Sequence, residues 1–404
     1  MIIKEVEFSS MNIFPPIGAE DDFLQAFTKR HQTKANLLQM DWGDAWNQLV
    51  RFGLNSHGPD VSEIGTTWLG GLHSMDALRP FTPAETAKWG EPDLFLPASW
   101  KACQFGRNNL TMAIPFILDV RVVLYRRDWL QKAGVDEATA FMDSDHFLDT
   151  LKSLKAAGCS SPLGIPTSHS YTRLIHDLAC WVWSAGGDIR SNDGRRMLLL
   201  EAKSRAGMQA YFALNEFISP EMQALAEDTL FDAFAQGKCA VAISSERSYL
   251  GLLTEDLNIS PEVKENIGVA MLMQTPFVGG TGLAIWRYSH NYQEALKLVQ
   301  YLTSLEAWQF LNKQGIPFTP ARRDALAQSP LAATPFYPAI EKSLQNGRSF
   351  QSGFRWSGVE SRLVVVIENL WEDLRTNPEL NIAHEIEQRF SSVCKRLEET
   401  ILVS

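Results

Sequence analysis

The chain has 404 residues, enough for two domains that each bury a core of their own. Its net charge of -10 argues against nucleic acid and against an anionic membrane surface, since both reward clustered Lys and Arg. No apolar run approaches the roughly 20 residues that span a bilayer; the longest are short stretches such as Leu363–Ile367, so the chain reads as soluble.

The opening MIIKEVEFSS carries a single basic residue and no extended apolar segment, so it does not read as a secretory signal. Two expectations stand: a cytosolic protein, or one whose signal has been removed. Residues 3–8 alternate like a strand. Phe23, Leu24 and Phe27 recur at helical spacing behind Glu20-Asp21-Asp22, where negative charge suits a helix start. Trp46, Leu49 and Val50 repeat that pattern, and Pro59-Asp60-Val61 opens a short segment ending at Gly65. This is βαβ logic, which implies a mostly parallel sheet covered by helices.

The stretch IPFILDVRVVLYRRDWL, 114–130, reads as one long strand with an interior proline, a poor central strand but a good crossover between domains. A largely helical region follows to about Asn266, with helices over His146–Ala157, Thr172–Ser184, Lys203–Phe217 and Thr229–Gln236. From Ile267 strand character returns: a strand, a turn at Gly279, Gly280 and Gly282, a second strand through Trp286, then two amphipathic helices. The glycines let backbone approach closely and suggest a rim around a cleft. They are no dinucleotide fingerprint, because an apolar strand follows and Ile285 stands where the third glycine belongs. The last eighty residues are helical over Phe336–Gln345, Trp356–Arg375 and Ile382–Ile401. The alternation predicts two lobes, each built from separated pieces: 1–115 and 267–325 form the first, 116–266 and 326–404 the second. Several crossings make a hinge, with ligand expected in the cleft.

Cys103, Cys159, Cys180, Cys239 and Cys394 are odd in number and contain no CxxC pair, which removes zinc-ribbon and thioredoxin-like chemistry. Most are expected to be small buried apolar groups, with one disulfide left open. The eight histidines show no metal spacing, and neither a metal nor a cofactor is expected. No GxSxG, Walker or HExxH motif is present. A glycoside hydrolase needs two carboxylates about 5–9 Å apart, and nothing in the sequence sets Glu63 and Asp119 across a bond. The chain is expected not to be an enzyme.

Five segments in order now carry a resemblance: HGPDVSEIGTTWLGGL (57–72), IPFILDVRVVLYRRDWL (114–130), Ala185-Gly186-Gly187, FAQGKCAVAI (234–243) and GGTGLAIWRYSHNYQEALKLVQYLTS from Gly279. Together they resemble the extracellular solute-binding proteins of carbohydrate ABC importers, the maltose-binding-like group. The resemblance covers essentially the whole chain. It implies a two-lobe α/β periplasmic-binding-protein-like fold of class II type that closes on ligand by hinge bending. It also implies a monomer outside the cytoplasm that hands a carbohydrate, polyol or glycerophosphate-like ligand to a membrane permease. By position it implicates Glu63, Trp68, Asp119, His169, Tyr171, His176, Arg247, Gly280, Thr281 and Trp356 as ligand-binding. Glu63-Ile64-Gly65-Thr66 is closest to glycerophosphate-binding relatives, in which the matching Glu touches ligand. Maltose-binding relatives place a Trp where this chain has Ile64.

Each residue has a plainer alternative. Trp181, Trp183, Trp286, Trp308 and Trp371 lie on apolar faces and read as core. Trp68 and Trp356 follow turns and are candidates for stacking on a sugar ring, as is Trp42 in the loop Asp41–Asp44. Glu63 and Asp119 lie in buried-looking segments and need partners: sugar hydroxyls, or an internal cation such as Arg121 for Asp119. Arg121, Arg247 and Arg355 suit either solvent or an anionic ligand. Asn12 fits the ligand site or an ordinary turn, and His169 and His176 a hydrogen bond. Two other functions remain open: a sensor of the same fold without a transporter, and a carbohydrate-active enzyme.

Overall fold

The computed structural model describes residues 4–11, 19–87, 92–105, 108–167, 173–245, 259–314, 318–350 and 356–402. Asn12, His169, Tyr171, Arg247 and Arg355 lie outside the described residues. In chain order the main elements are β1 (Lys4–Met11), α1 (Ala19–His31), β2 (Thr33–Met40), α2 (Trp42–Asn55), β3 (Val61–Gly65), β4 (Ile114–Arg126), α3 (Arg173–Ser184), α4 (Glu227–Ala235), β5 (Val241–Ser245), β6 (Ile267–Met271), β7 (Val278–Trp286), α5 (Tyr292–Leu302), α6 (Leu305–Lys313), α7 (Trp356–Thr376) and α8 (Ile382–Leu402). They divide into two units. Unit 1 comprises Met1–Asp119, Gly279–Thr334 and Ser349–Ser357; unit 2 comprises Val120–Val278, Pro335–Arg348 and Gly358–Ser404.

Unit 1 is built on the β1-α1-β2-α2-β3 run. β1 pairs in parallel with β2, Val6 opposite Ala35, and with β3, Phe8 opposite Val61. Parallel pairing requires a crossover between strands, and α1 and α2 supply it. The apolar face of α1 turns inward: Phe23 and Phe27 are fully buried and both rings meet Tyr301 of α5, at 5.2 and 5.5 Å between centroids. β7 then joins β3 in antiparallel register, Thr281 opposite Gly65 and Leu283 opposite Glu63.

Unit 2 is built around the far half of β4. Val123 pairs with Ile243 of β5 on one side, and Leu124 with Val269 of β6 on the other, both antiparallel. α3 is buried from Leu174 to Trp183, as expected for a helix surrounded by protein rather than facing solvent. Trp181 packs edge-on against Phe147 at 5.4 Å, and Tyr211 meets Trp371 at 5.3 Å. The five tryptophans assigned to the core, Trp181, Trp183, Trp286, Trp308 and Trp371, are all buried.

Several sequence expectations are corrected. The strand from Ile114 stops at Arg126, and Arg127–Lys132 is helical. Gly279, Gly280 and Gly282 do not form a turn but lie inside β7. The reason is crowding by β4 and the residue before it: a Cβ on Gly280, at φ +124°, would stand 2.0 Å from the Ile117 carbonyl oxygen, and one on Gly282 would stand 2.9 Å from the Ala113 methyl. β6, expected to open the second piece of the first lobe, pairs with Val122–Arg126 and so lies in unit 2. The segment 349–357 lies in unit 1, although the chain beyond 325 was expected to stay in the second lobe. All five cysteines are buried and free.

Candidate functional site

In unit 1 three strands reach one edge of the sheet. β1 ends at Met11, β3 ends at Gly65, and antiparallel β7 enters there through Thr281. In open α/β sheets ligands bind outside the carboxyl ends of parallel strands, so this edge is where a site is expected.

Three indoles cluster here. Trp42 is not in a loop, as the sequence suggested, but is the first residue of α2, which Asp41 caps through a 2.8 Å hydrogen bond from the Gly43 N–H. Four residues on, Trp46 shares its helix face. Trp68 meets both rings, at 5.6 Å from Trp42 and 5.8 Å from Trp46, with tilted planes. Glycine makes room for them: a Cβ on Gly65 would lie 3.3 Å from the Trp68 ring, and one on Gly71 would lie 2.9 Å from the Trp46 ring. All three tryptophans are half-buried. The sequence placed Trp46 only on the apolar face of a helix, and the structure brings it to Trp68. The four-residue interval from Trp42 was the signal that links them.

The polar candidates separate. Glu63 is fully buried; its Oε2 accepts from the Ser10 hydroxyl at 2.5 Å and from the Met11 N–H at 3.0 Å. Asp119 Oδ1 and Thr281 Oγ1 are buried atoms without a hydrogen-bond partner among the described residues. Gly280 lies against the Ile117 carbonyl, and its own carbonyl accepts from the Thr66 N–H at 3.0 Å. Trp356 is 2% exposed and packs on Phe350 at 4.5 Å, so its ring is wall rather than open platform.

Unit 2 answers the question about Arg121. Its guanidinium is 1% exposed and pairs with Asp177 at 3.1 Å and Glu227 at 3.2 Å. Arg173 at the start of α3 also pairs with Glu227, and the Ser244 hydroxyl donates to the same carboxylate at 3.4 Å. Arg121 is therefore neither a solvated cation nor an open anion receptor. A guanidinium buried this deeply persists only beside counter-charges, and here Asp177 and Glu227 provide them. His176 is buried too, stacked on Phe277 at 4.0 Å with Nε2 3.4 Å from Glu360 Oε1. Burial holds its pKa well below the usual histidine range, with Arg121 and Arg173 adding to the effect, so the ring is neutral at pH 7. Asp177, Glu227 and Arg173 were missed in the sequence, because Asp177 pairs with Arg121 and Arg173 with Glu227, partners that lie far apart along the chain.

Among the described residues no group of three or more His, Cys, Asp or Glu is arranged to hold a metal, and no helix is long and apolar enough to cross a membrane.

Comparison with known proteins agrees with this architecture. Residues 13–307 match the family described as bacterial extracellular solute-binding protein. The chain belongs to that family. Solved structures of the same fold include an ABC-transporter solute-binding protein from Thermotoga lettingae bound with alpha-D-tagatose, at 18% identity and TM-score 0.79, covering 98% of this chain and 100% of that one. The maltose-bound MalE3 of T. maritima is similar at 19% identity and TM-score 0.79, covering 98% and 99%. The sugar-binding protein MalE of Xanthomonas citri is similar at 18% identity and TM-score 0.79, covering 99% and 98%. At such identities the likeness establishes the fold, the two-lobe periplasmic-binding-protein fold expected from the sequence. No curated protein matches the chain significantly.

Proposed function

We propose that this chain is the sugar-binding receptor of an ABC-type importer. It works outside the cytoplasm as a monomer and passes its ligand unaltered to a membrane permease. The observation that carries this reading is the half-buried trio Trp42, Trp46 and Trp68 at the carboxyl edge of β1 and β3. Flat indole faces suit the C–H faces of a sugar ring. Asp119 Oδ1 and Thr281 Oγ1 supply acceptors for sugar hydroxyls on the same unit. Family membership and the sugar ligands of the similar structures support the same class of ligand. Arg121 is not available to an anionic ligand, because two carboxylates already match it.

The test is a thermal-shift screen with mono- and oligosaccharides, maltose and D-tagatose included, followed by fluorescence titration of each hit. Binding to the folded state raises the melting temperature with ligand concentration. Trp68→Ala is expected to weaken a hit about tenfold, the loss of one aromatic stacking contact at about 1.4 kcal/mol. Unchanged affinity in that variant removes the aromatic assignment; new reducing ends after incubation with oligosaccharides would remove the receptor reading.

A further inference from the structure

β1 and β3 are held together near the site edge by more than their backbone ladder. Ser9 stands opposite Ser62, and their hydroxyls are 2.6 Å apart; Trp286 Nε1 donates to the same Ser62 oxygen at 2.7 Å. One residue further on, the Ser10 hydroxyl and the Met11 N–H both donate to Glu63 Oε2. Successive strand residues face opposite sides of a sheet, so the two contacts pin the pair from both faces. Ser9, Ser10, Met11, Ser62, Glu63 and Trp286 are all 0% exposed. The apolar pattern alone tolerates a slip of β1 by two residues. The pins do not, since a slip strips a buried carboxylate of these donors.

We propose that Glu63 is a positioning residue for ligand binding: it anchors the last residue of β1 and so fixes the point at which the chain leaves the sheet beside the tryptophan trio. This rests on the sugar-receptor reading only in taking that edge as the binding edge. It differs from the role the family resemblance implies, in which the matching Glu touches ligand. Here its Oε2 already accepts from the Ser10 hydroxyl and the Met11 N–H.

The experiment compares Glu63→Gln, Glu63→Met and Glu63→Asp by residue-resolved hydrogen exchange at Met11 and by fluorescence titration with maltose and D-tagatose. A glutamine oxygen accepts both hydrogen bonds, methionine offers no oxygen, and aspartate keeps the charge but falls short by one methylene. Exchange at Met11 is expected to rise at least tenfold in the Met and Asp variants and less than threefold in the Gln variant. Sugar affinity is expected to fall in the order wild type, Gln, Asp. Should the Met variant fail to fold, the Asp variant carries the comparison. Unaltered Met11 exchange in the Asp variant overturns the proposal, as does a Gln variant that exchanges as fast as the Asp variant. Loss of sugar binding in the Gln variant with Met11 still protected also overturns it, by making Glu63 a ligand contact. If neither sugar binds the wild type, these two ligands drop out of the receptor reading, the exchange data decide whether Glu63 anchors Met11, and the titration is run with the sugar that the thermal-shift screen returns.

Discussion

Replacing Glu294 with glutamine probes how unit 1 is tied together. The side chain is 4% exposed at the start of α5; its Oε1 accepts from Lys4 of β1 at 2.6 Å, and its Oε2 from Lys297 at 2.8 Å and from Thr33 of β2 at 3.0 Å. Burial pushes this carboxyl up, but the hydrogen bonds from Lys297, Lys4 and Thr33 outweigh it and hold the pKa at about 2, against 4.5 for an unperturbed glutamate. Taken whole, that depression corresponds to about 3 kcal/mol, at about 1.4 kcal/mol per tenfold in proton affinity. The ammonium partners are 68% and 42% exposed, so solvent screening brings the expected contribution to about 1–2 kcal/mol. The sign follows from linkage. Above pH 4.5 the group is ionised in both folded and unfolded chains and the stabilisation is complete. As pH falls from 4.5 towards 2 the unfolded chain takes up the proton first, and the stabilisation drains away. Denaturant melts of wild type and Glu294→Gln are therefore expected to differ by about 1–2 kcal/mol at pH 7, with the gap narrowing below pH 4.5. A gap that stays flat down to pH 3, or widens in acid, refutes the reasoning.

Arg121→Ala leaves Asp177 and Glu227 buried without their deepest counter-charge and is expected to cost about 3–5 kcal/mol, read as a lower calorimetric midpoint; a loss below about 1 kcal/mol shows that the two acids do not depend on it. The cysteines are expected to be inert to a thiol reagent in the folded protein and to react as five thiols after denaturation. Burial raises the pKa of every one of them, Cys394 up to about 12, so little thiolate exists at pH 7. Fewer than five reactive thiols in denaturant alone would reveal a disulfide.

Local pattern settled what depends on neighbours in the chain. Phe23 and Phe27 on α1, the βαβ order of the first 65 residues, and the burial of Trp181, Trp286 and Trp308 follow from apolar periodicity, which tertiary contact reinforces. The class of fold was legible because several such segments stand in a fixed order. Tertiary structure decided what depends on residues distant in sequence. Arg121 was open to solvent, Asp119 or an anion until α3 and α4 brought Asp177 and Glu227 to it. The glycines of β7 read as a turn because their reason is the approach of Ile117 and Ala113, more than 160 residues earlier in the chain. Glu63 matched a ligand contact by position, and only packing shows that its Oε2 meets Ser10 and Met11 at the end of β1. Periodicity records which face of an element is apolar. Which charge meets which is set only when separate elements pack, because a buried charge takes whatever partner that packing delivers.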